Sequence, residues 1–191
     1  PLFQLDMAAT LVQHLSLEKR GDHYVSKYLP QRMGNTAHIA YGGYAIGFAI
    51  RSAYERAPDG FHLYSAFGHY LRPVSTEVNI MCRVIELRKS KNFATYRVAV
   101  EQRQSNSETR SCMELLADFH RDEPPLLAFS AQPTREYSHW RECVQWEDLE
   151  EAMIRSGKLS RKQATSNRVV FALSRTVFET LPCPEGIPSQ N

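Results

Sequence analysis

The sequence has few of the features that mark the commonest functional classes. Its four cysteines, Cys82, Cys112, Cys143 and Cys183, are scattered, with no C-x-x-C pair. That spacing argues against a structural metal site, and so few cysteines are unusual for a disulfide scaffold of this size. Free buried thiols in a reducing compartment are the default expectation. Strong charge of either sign is also missing: the formal net charge is +2 over 191 residues. That is too weak to argue for nucleic acid or an anionic membrane surface. No apolar run approaches the roughly 20 residues a membrane-spanning helix needs. The opening PLFQLDMAAT lacks the basic start and apolar run of a secretory signal. There is no G-x-S-x-G elbow, no Walker A loop, no dinucleotide fingerprint and no H-E-x-x-H. No internal repeat or low-complexity tract is visible.

Hydrophobic residues make up 42% of the chain and charged residues 23%, enough for a packed core. Leu5, Ala8, Ala9, Leu11, Val12 and Leu15 recur near helical spacing and predict a short amphipathic helix over 4–17. Gly21-Asp22 breaks it, and HYVSKYL (23–29) alternates like a strand. The segment AYGGYAIGFAIRSAYER (40–56) then predicts a helix over about 43–56, with a stripe of Ile46, Ala49, Ile50 and Ala53. That helix opens on two glycines, although each costs about 1 kcal/mol relative to alanine in a helix interior. Four β-rich segments follow at 61–71, 77–87, 93–103 and 109–120, with hairpin-length gaps between them. Val78, Ile80, Cys82 and Val84 alternate with Asn79, Met81 and Arg83, and Ala94, Tyr96, Val98 and Val100 alternate with Thr95, Arg97 and Ala99. Each strand should therefore bury one face.

A strand, one apolar helix and four antiparallel strands predict an α+β chain with a hotdog fold, an antiparallel sheet wrapped around a central helix. The expected boundaries are a hotdog domain over 1–124 and a linker region over 125–191. The linker region should contain a helix at 146–159 and a strand at 168–181, which would begin a second hotdog repeat.

Four stretches in register, AYGGYAIGFAIRSAY, FGHYLRP, KNFATYRVAVEQ and ADFHRDEP, resemble the acyl-CoA thioesterase II family across about residues 15–125. The resemblance implies a double hotdog protein whose N-terminal repeat is this region, with a catalytic Asp, a Ser or Thr, and a Gln in the second repeat. None of those three transfers to a position here. The family's histidine before Leu-Arg-Pro is replaced by Phe67, and His69 stands where an aromatic residue is usual. The helix also lacks the acidic residue that many single-hotdog thioesterases carry near its start; its first acid is Glu55.

What the resemblance implies is hydrolysis of a fatty-acyl or related acyl-CoA by an activated water, with no cofactor and no metal. The alternative is a non-catalytic or repurposed hotdog that binds acyl thioesters or a polyketide-type metabolite. Gly42 and Gly43 would let a thioester carbonyl approach the helix N-terminus, where free N–H groups and the positive end of the helix dipole could polarise it. They would equally serve a tight turn. Asn35, His38, Tyr41 and Tyr70 surround that turn as candidate substrate-binding residues. Arg72 could meet a coenzyme A phosphate; the basic tip Lys89 to Lys91 reads as a solvated turn. His69 is the one candidate catalytic base. The expected partners are an acyl thioester and a second hotdog, either in the same polypeptide or in a homodimer, with no nucleic acid and no membrane. The expected location is intracellular, cytoplasmic or peroxisomal.

Overall fold

The computed structural model describes residues 10–132, 134, 136–183 and 185. The chain divides into two compact units, 1–124 and 125–191.

The first unit begins with α1 (Leu11–His14), a single turn closed by a reciprocal capping box between Thr10 and Gln13. It is much shorter than the predicted 4–17 helix, of which residues 4–9 lie outside the described residues. A hairpin follows, β1 (Leu17–Arg20) and β2 (His23–Ser26), turning at Gly21 with φ +58°. Only Gly adopts that conformation at no steric cost. The hairpin corrects two expectations: β1 was not predicted, and the strand expected over 23–29 stops at Ser26. There Asn79 Nδ2 donates to Ser26 O at 2.7 Å, and the chain leaves the sheet.

The central helix α2 runs Gly42–Tyr54. It buries Tyr44, Ala45, Phe48, Ala49, Ser52 and Ala53, so the inward stripe is rotated from the expected one. Ile46 and Ile50 sit at its margin, partly buried against the core. The reason is size. Alanines at 45, 49 and 53 let the helix lie close on the sheet, while Phe48, fully buried, supplies about 1.5–3 kcal/mol of burial. The helix ends at Tyr54, and the turn that follows leads into β3 through Gly60, at φ +76°.

The remaining strands are β3 (Phe61–Tyr70), β4 (Met81–Lys89), β5 (Phe93–Arg103) and β6 (Thr109–Arg121). All pair antiparallel in one six-stranded sheet of order β1-β2-β4-β5-β6-β3. The predicted alternation holds where it matters: Ile80, Cys82, Ala94, Tyr96, Val98 and Val100 are fully buried. β4 starts four residues later than expected. Residues 71–80 form a connecting strap whose polar groups bond outside the sheet ladder, and Lys89 belongs to β4 rather than to the turn.

The second unit holds α3 (Trp146–Arg155), α4 (Arg161–Val170) and α5 (Ala172–Val177). The strand expected over 168–181 is absent; that stretch is the end of α4, then α5, then irregular chain. Ser160 and Gln163 cap α4 reciprocally, and the buried Glu150 of α3 bonds Arg168 Nε at 2.7 Å and Arg175 Nη2 at 3.3 Å. A carboxylate buried in this way demands cations on one face, and seven-residue spacing on helical backbone provides them.

Candidate functional site

A cavity of about 410 Å³ opens where the N-terminal end of α2, the end of β3 and the following strap converge. Ile39 to Gly42 and Ala45 form one side, and Tyr70 to Val74 form the other. The lining is largely apolar, with two phenols and one guanidinium as its polar side chains.

Sequence places this mouth at a helix start that nothing caps. Tyr41 occupies the cap position, and its side chain makes no capping hydrogen bond. Among the described residues, no acceptor takes the N–H groups of Gly42 or Gly43, while Tyr44 N–H bonds Tyr41 O at 2.9 Å. The first N–H groups of a helix carry partial positive charge and require a partner from outside the helix.

Neither glycine has positive φ. Their need is closeness: a methyl on Gly42 would stand 2.8 Å from Tyr70 Oη, and one on Gly43 would overlap the Tyr41 ring. The two phenols therefore flank the open N–H groups. Burial, then the neighbouring Tyr41, holds the Tyr70 hydroxyl above the ordinary tyrosine pKa. It stays a neutral hydrogen-bond donor at physiological pH.

The structure thus brings together four of the sequence candidates, Tyr41, Gly42, Tyr70 and Arg72, with Gly43 directly behind Tyr41. Arg72 Nη1 donates to Ser111 O at 3.3 Å, and no carboxylate pairs with it among the described residues. Asn35 braces the entry loop instead, donating to Ile39 O at 3.3 Å. His38 lies 3.6 Å from Glu77 at an exposed position. Neither lines the cavity.

His69 is also elsewhere. Strand alternation turns Gly68 and Tyr70 inward: a methyl on Gly68 would press on Met113 and Leu115. His69 therefore projects from the opposite sheet face, exposed, its ring edge-on to Phe67 at 4.9 Å. Among the described residues, no carboxylate or imidazole lines the cavity. The lining residues that the sequence reading passed over, Ile39, Ala40, Ala45, Leu71, Pro73 and Val74, are apolar. Their only prior signal was adjacency to the Gly-Gly and Leu-Arg-Pro motifs. No three His, Cys, Asp or Glu side chains cluster as a metal site among the described residues.

A curved antiparallel sheet enclosing one long helix, with a cavity at the helix N-terminus, defines a hotdog fold. Residues 29–120 match the family model of the acyl-CoA thioesterase N-terminal domain. That stretch is just under half of the chain, and over it the chain is similar to that domain. No curated protein matches the chain. Among solved structures, it resembles an acyl-CoA thioesterase II, TesB2, from Mycobacterium marinum, at 20% identity and TM-score 0.52, over 68% of this chain and 44% of that one. It also resembles a conserved hot dog fold protein of unknown function from Alicyclobacillus acidocaldarius, at 9% identity and TM-score 0.56, over 70% of this chain and 47% of that one. The chain spans less than half the length of either.

Proposed function

We propose that this chain supplies the N-terminal hotdog of an acyl-CoA thioesterase, which hydrolyses a fatty-acyl or related acyl-CoA to free acid and coenzyme A. The carrying observation is the uncapped N-terminus of α2 opening into an apolar cavity between Tyr41 and Tyr70. In this reading the thioester carbonyl oxygen accepts from the Gly42 and Gly43 N–H groups. The Tyr70 hydroxyl lies beside it, and the acyl chain runs along Ala45 and Val74. Arg72, free of a carboxylate, faces the phosphates. Charge developing on the carbonyl oxygen during attack by water is what such fixed donors stabilise.

The general base is not assigned to this unit, because no acid or imidazole among the described residues lines its cavity. A second hotdog, in the same polypeptide or a second copy, is where the activated water would be held. The same absence favours one other reading, a hotdog that binds acyl thioesters without hydrolysing them.

Two measurements separate these readings. A non-hydrolysable thioether analogue of a medium-chain acyl-CoA, titrated against the chain, should bind, and Gly42→Ala should weaken it about tenfold while melting like the parent. In the full-length protein the same substitution should lower thioester turnover by about 10²-fold, the cost of a lost oxyanion donor. Gly43→Val should lower both turnover and melting temperature, because its methyls displace the Tyr41 ring. Parental binding and turnover in Gly42→Ala would retire the placement of the thioester at this helix end. Tight binding with no turnover by the full-length protein would select the second reading.

A further inference from the structure

The strap 71–80 forms one wall of the cavity, and its polar backbone groups can be followed to their partners. Leu71 and Arg72 N–H both donate to Cys112 O. Pro73 O accepts from Arg110 Nη2 at 2.8 Å. Val74 O accepts from Ala40 N–H at 2.8 Å, and Thr76 N–H donates to His38 O at 3.1 Å. The centre of the strap is held by one side chain. Gln102 Oε1 accepts from Ser75 N–H at 2.8 Å, and its Nε2 donates to Ser75 O at 2.8 Å and to Val78 O at 2.6 Å. Gln102 lies on β5, is 2% exposed, and does not itself line the cavity.

A glutamine amide offers two donors and one acceptor oxygen, and three of its bonds are made here. Two carbonyls and one N–H fix which end is which, so the amide cannot be reversed without facing oxygen to oxygen. The strap then reaches the helix start through two links. Val74 O bonds Ala40 N–H, and Ile39 bridges Ser75. Ala40 is two residues from Gly42. Buried polar groups with all partners in place have one low-energy arrangement, and the spacing across the mouth follows from it.

We infer that Gln102 is a positioning residue for this cavity, a buried clamp that sets the distance between Pro73–Val74 and the uncapped end of α2. That the cavity takes an acyl thioester rests on the function proposed above; the clamp itself does not.

The test uses Gln102→Glu, which keeps the shape but exchanges the two donors for oxygen, and Gln102→Met, which keeps the volume without charge or hydrogen bonds. Amide hydrogen exchange is read residue by residue. Exchange at Ala40, Ser75 and Thr76 should accelerate at least tenfold in both variants, while amides of the β5–β6 ladder keep parental rates. Affinity for the thioether analogue should fall at least tenfold in both at pH 8. In Gln102→Glu alone it should recover toward the parent at pH 6, because a protonated carboxyl can again donate to a carbonyl. The ionisable groups near this position are Arg110 and Cys112 on β6, Glu101 and Arg103 on β5, and the His38–Glu77 pair beside the strap. The parent and Gln102→Met, titrated over the same pH range, remove their contribution. Exchange that rises equally across the sheet would make Gln102 a general stabiliser and overturn the clamp, as would parental binding by both variants. If the parent fails to bind the analogue, the acyl-thioester reading falls, and the exchange pattern alone decides the clamp.

Discussion

Two acids of the core are held away from water, and they make stability depend on alkaline pH. Tyr44 is buried, its hydroxyl donating to His14 O at 2.7 Å, and burial pushes its pKa up to about 12. Burial likewise pushes the Cys82 thiol up to about 12. In the unfolded chain these groups ionise near their ordinary values, about 10 and about 8.5. The folded state therefore holds both protons more tightly. Its advantage is whole below pH ~8.5 and is lost as the pH climbs toward 12. The urea midpoint should be flat from pH 6 to 8 and decline above about pH 9. Cys82→Ala should delay the onset of the decline to about pH 10. Tyr44→Phe should cost about 1 kcal/mol at neutral pH by leaving His14 O without this donor, and should flatten the limb above pH 10. Over its full window Tyr44 is worth about 2–3 kcal/mol. A pH-independent midpoint up to pH 11 would contradict this assignment. At the same scale the glycine pair was legible as a special position, but its cause was not. The sequence suggests a tight turn or an opening for a carbonyl at the helix start; the structure shows no positive φ at either glycine, and Tyr41 and Tyr70 pressed against them. Which ring reaches which glycine is a tertiary fact, and Tyr70 lies 28 residues away along the chain. His69 and Tyr70 are adjacent in sequence, yet only strand register decides which of them enters the cavity.

Elements with a strict period were the most readable, and the one complete misreading shows why. Alternation in β4 and β5 reports burial directly because one face meets α2. In the stretch 168–181, Val169, Val170, Phe171, Thr176, Val177 and Phe178 carry β-branched or aromatic side chains, and local preference favours a strand. The structure is helical through Val177, and there Arg168 and Arg175 both bond Glu150. The Ser160–Gln163 capping signal that announces α4 is present in the sequence, outweighed by that β-rich run. If the buried carboxylate organises these helices, Glu150→Ala should leave two guanidiniums without their shared partner, reduce the helical signal of the second unit in far-UV circular dichroism and lower its melting midpoint by several degrees. Glu150→Gln, which keeps the shape and one acceptor, should lose less. A parental melt for Glu150→Ala would show that hydrophobic packing of α3 on α4 suffices, and that the strand-like sequence is overridden by something else.

The molecule as a whole presents a sheet with two unequal edges, and the inequality predicts how it associates. β1 is four residues long and carries Glu18, Lys19 and Arg20, the short charged edge that discourages further pairing. β3 is ten residues long, and Tyr64, Phe67 and Tyr70 are exposed on it at 71%, 66% and 53%. Its final residues also form one rim of the cavity, so a strand added along β3 would bring a neighbouring subunit or repeat to the open side of the site. This is consistent with a chain that spans less than half of the structures it resembles. The expected behaviour in solution is pairing through β3, with a second hotdog in the same polypeptide or with a second copy. For the chain alone, multi-angle light scattering at high concentration should give a mass of at least twice 21.9 kDa. Ser65→Lys with Phe67→Lys should return it to monomer, because two like charges would face their counterparts across an antiparallel pair. Lys19→Thr with Arg20→Thr, which remove charge at the β1 edge, should leave the mass unchanged. The association should also tighten binding of the thioether analogue, so the β3 double variant should bind it more weakly while its circular dichroism spectrum stays parental. A stable 21.9 kDa monomer for the parent would refute pairing through this edge, and loss of the dimer in the β1 variant rather than the β3 variant would place the contact on the other side of the sheet.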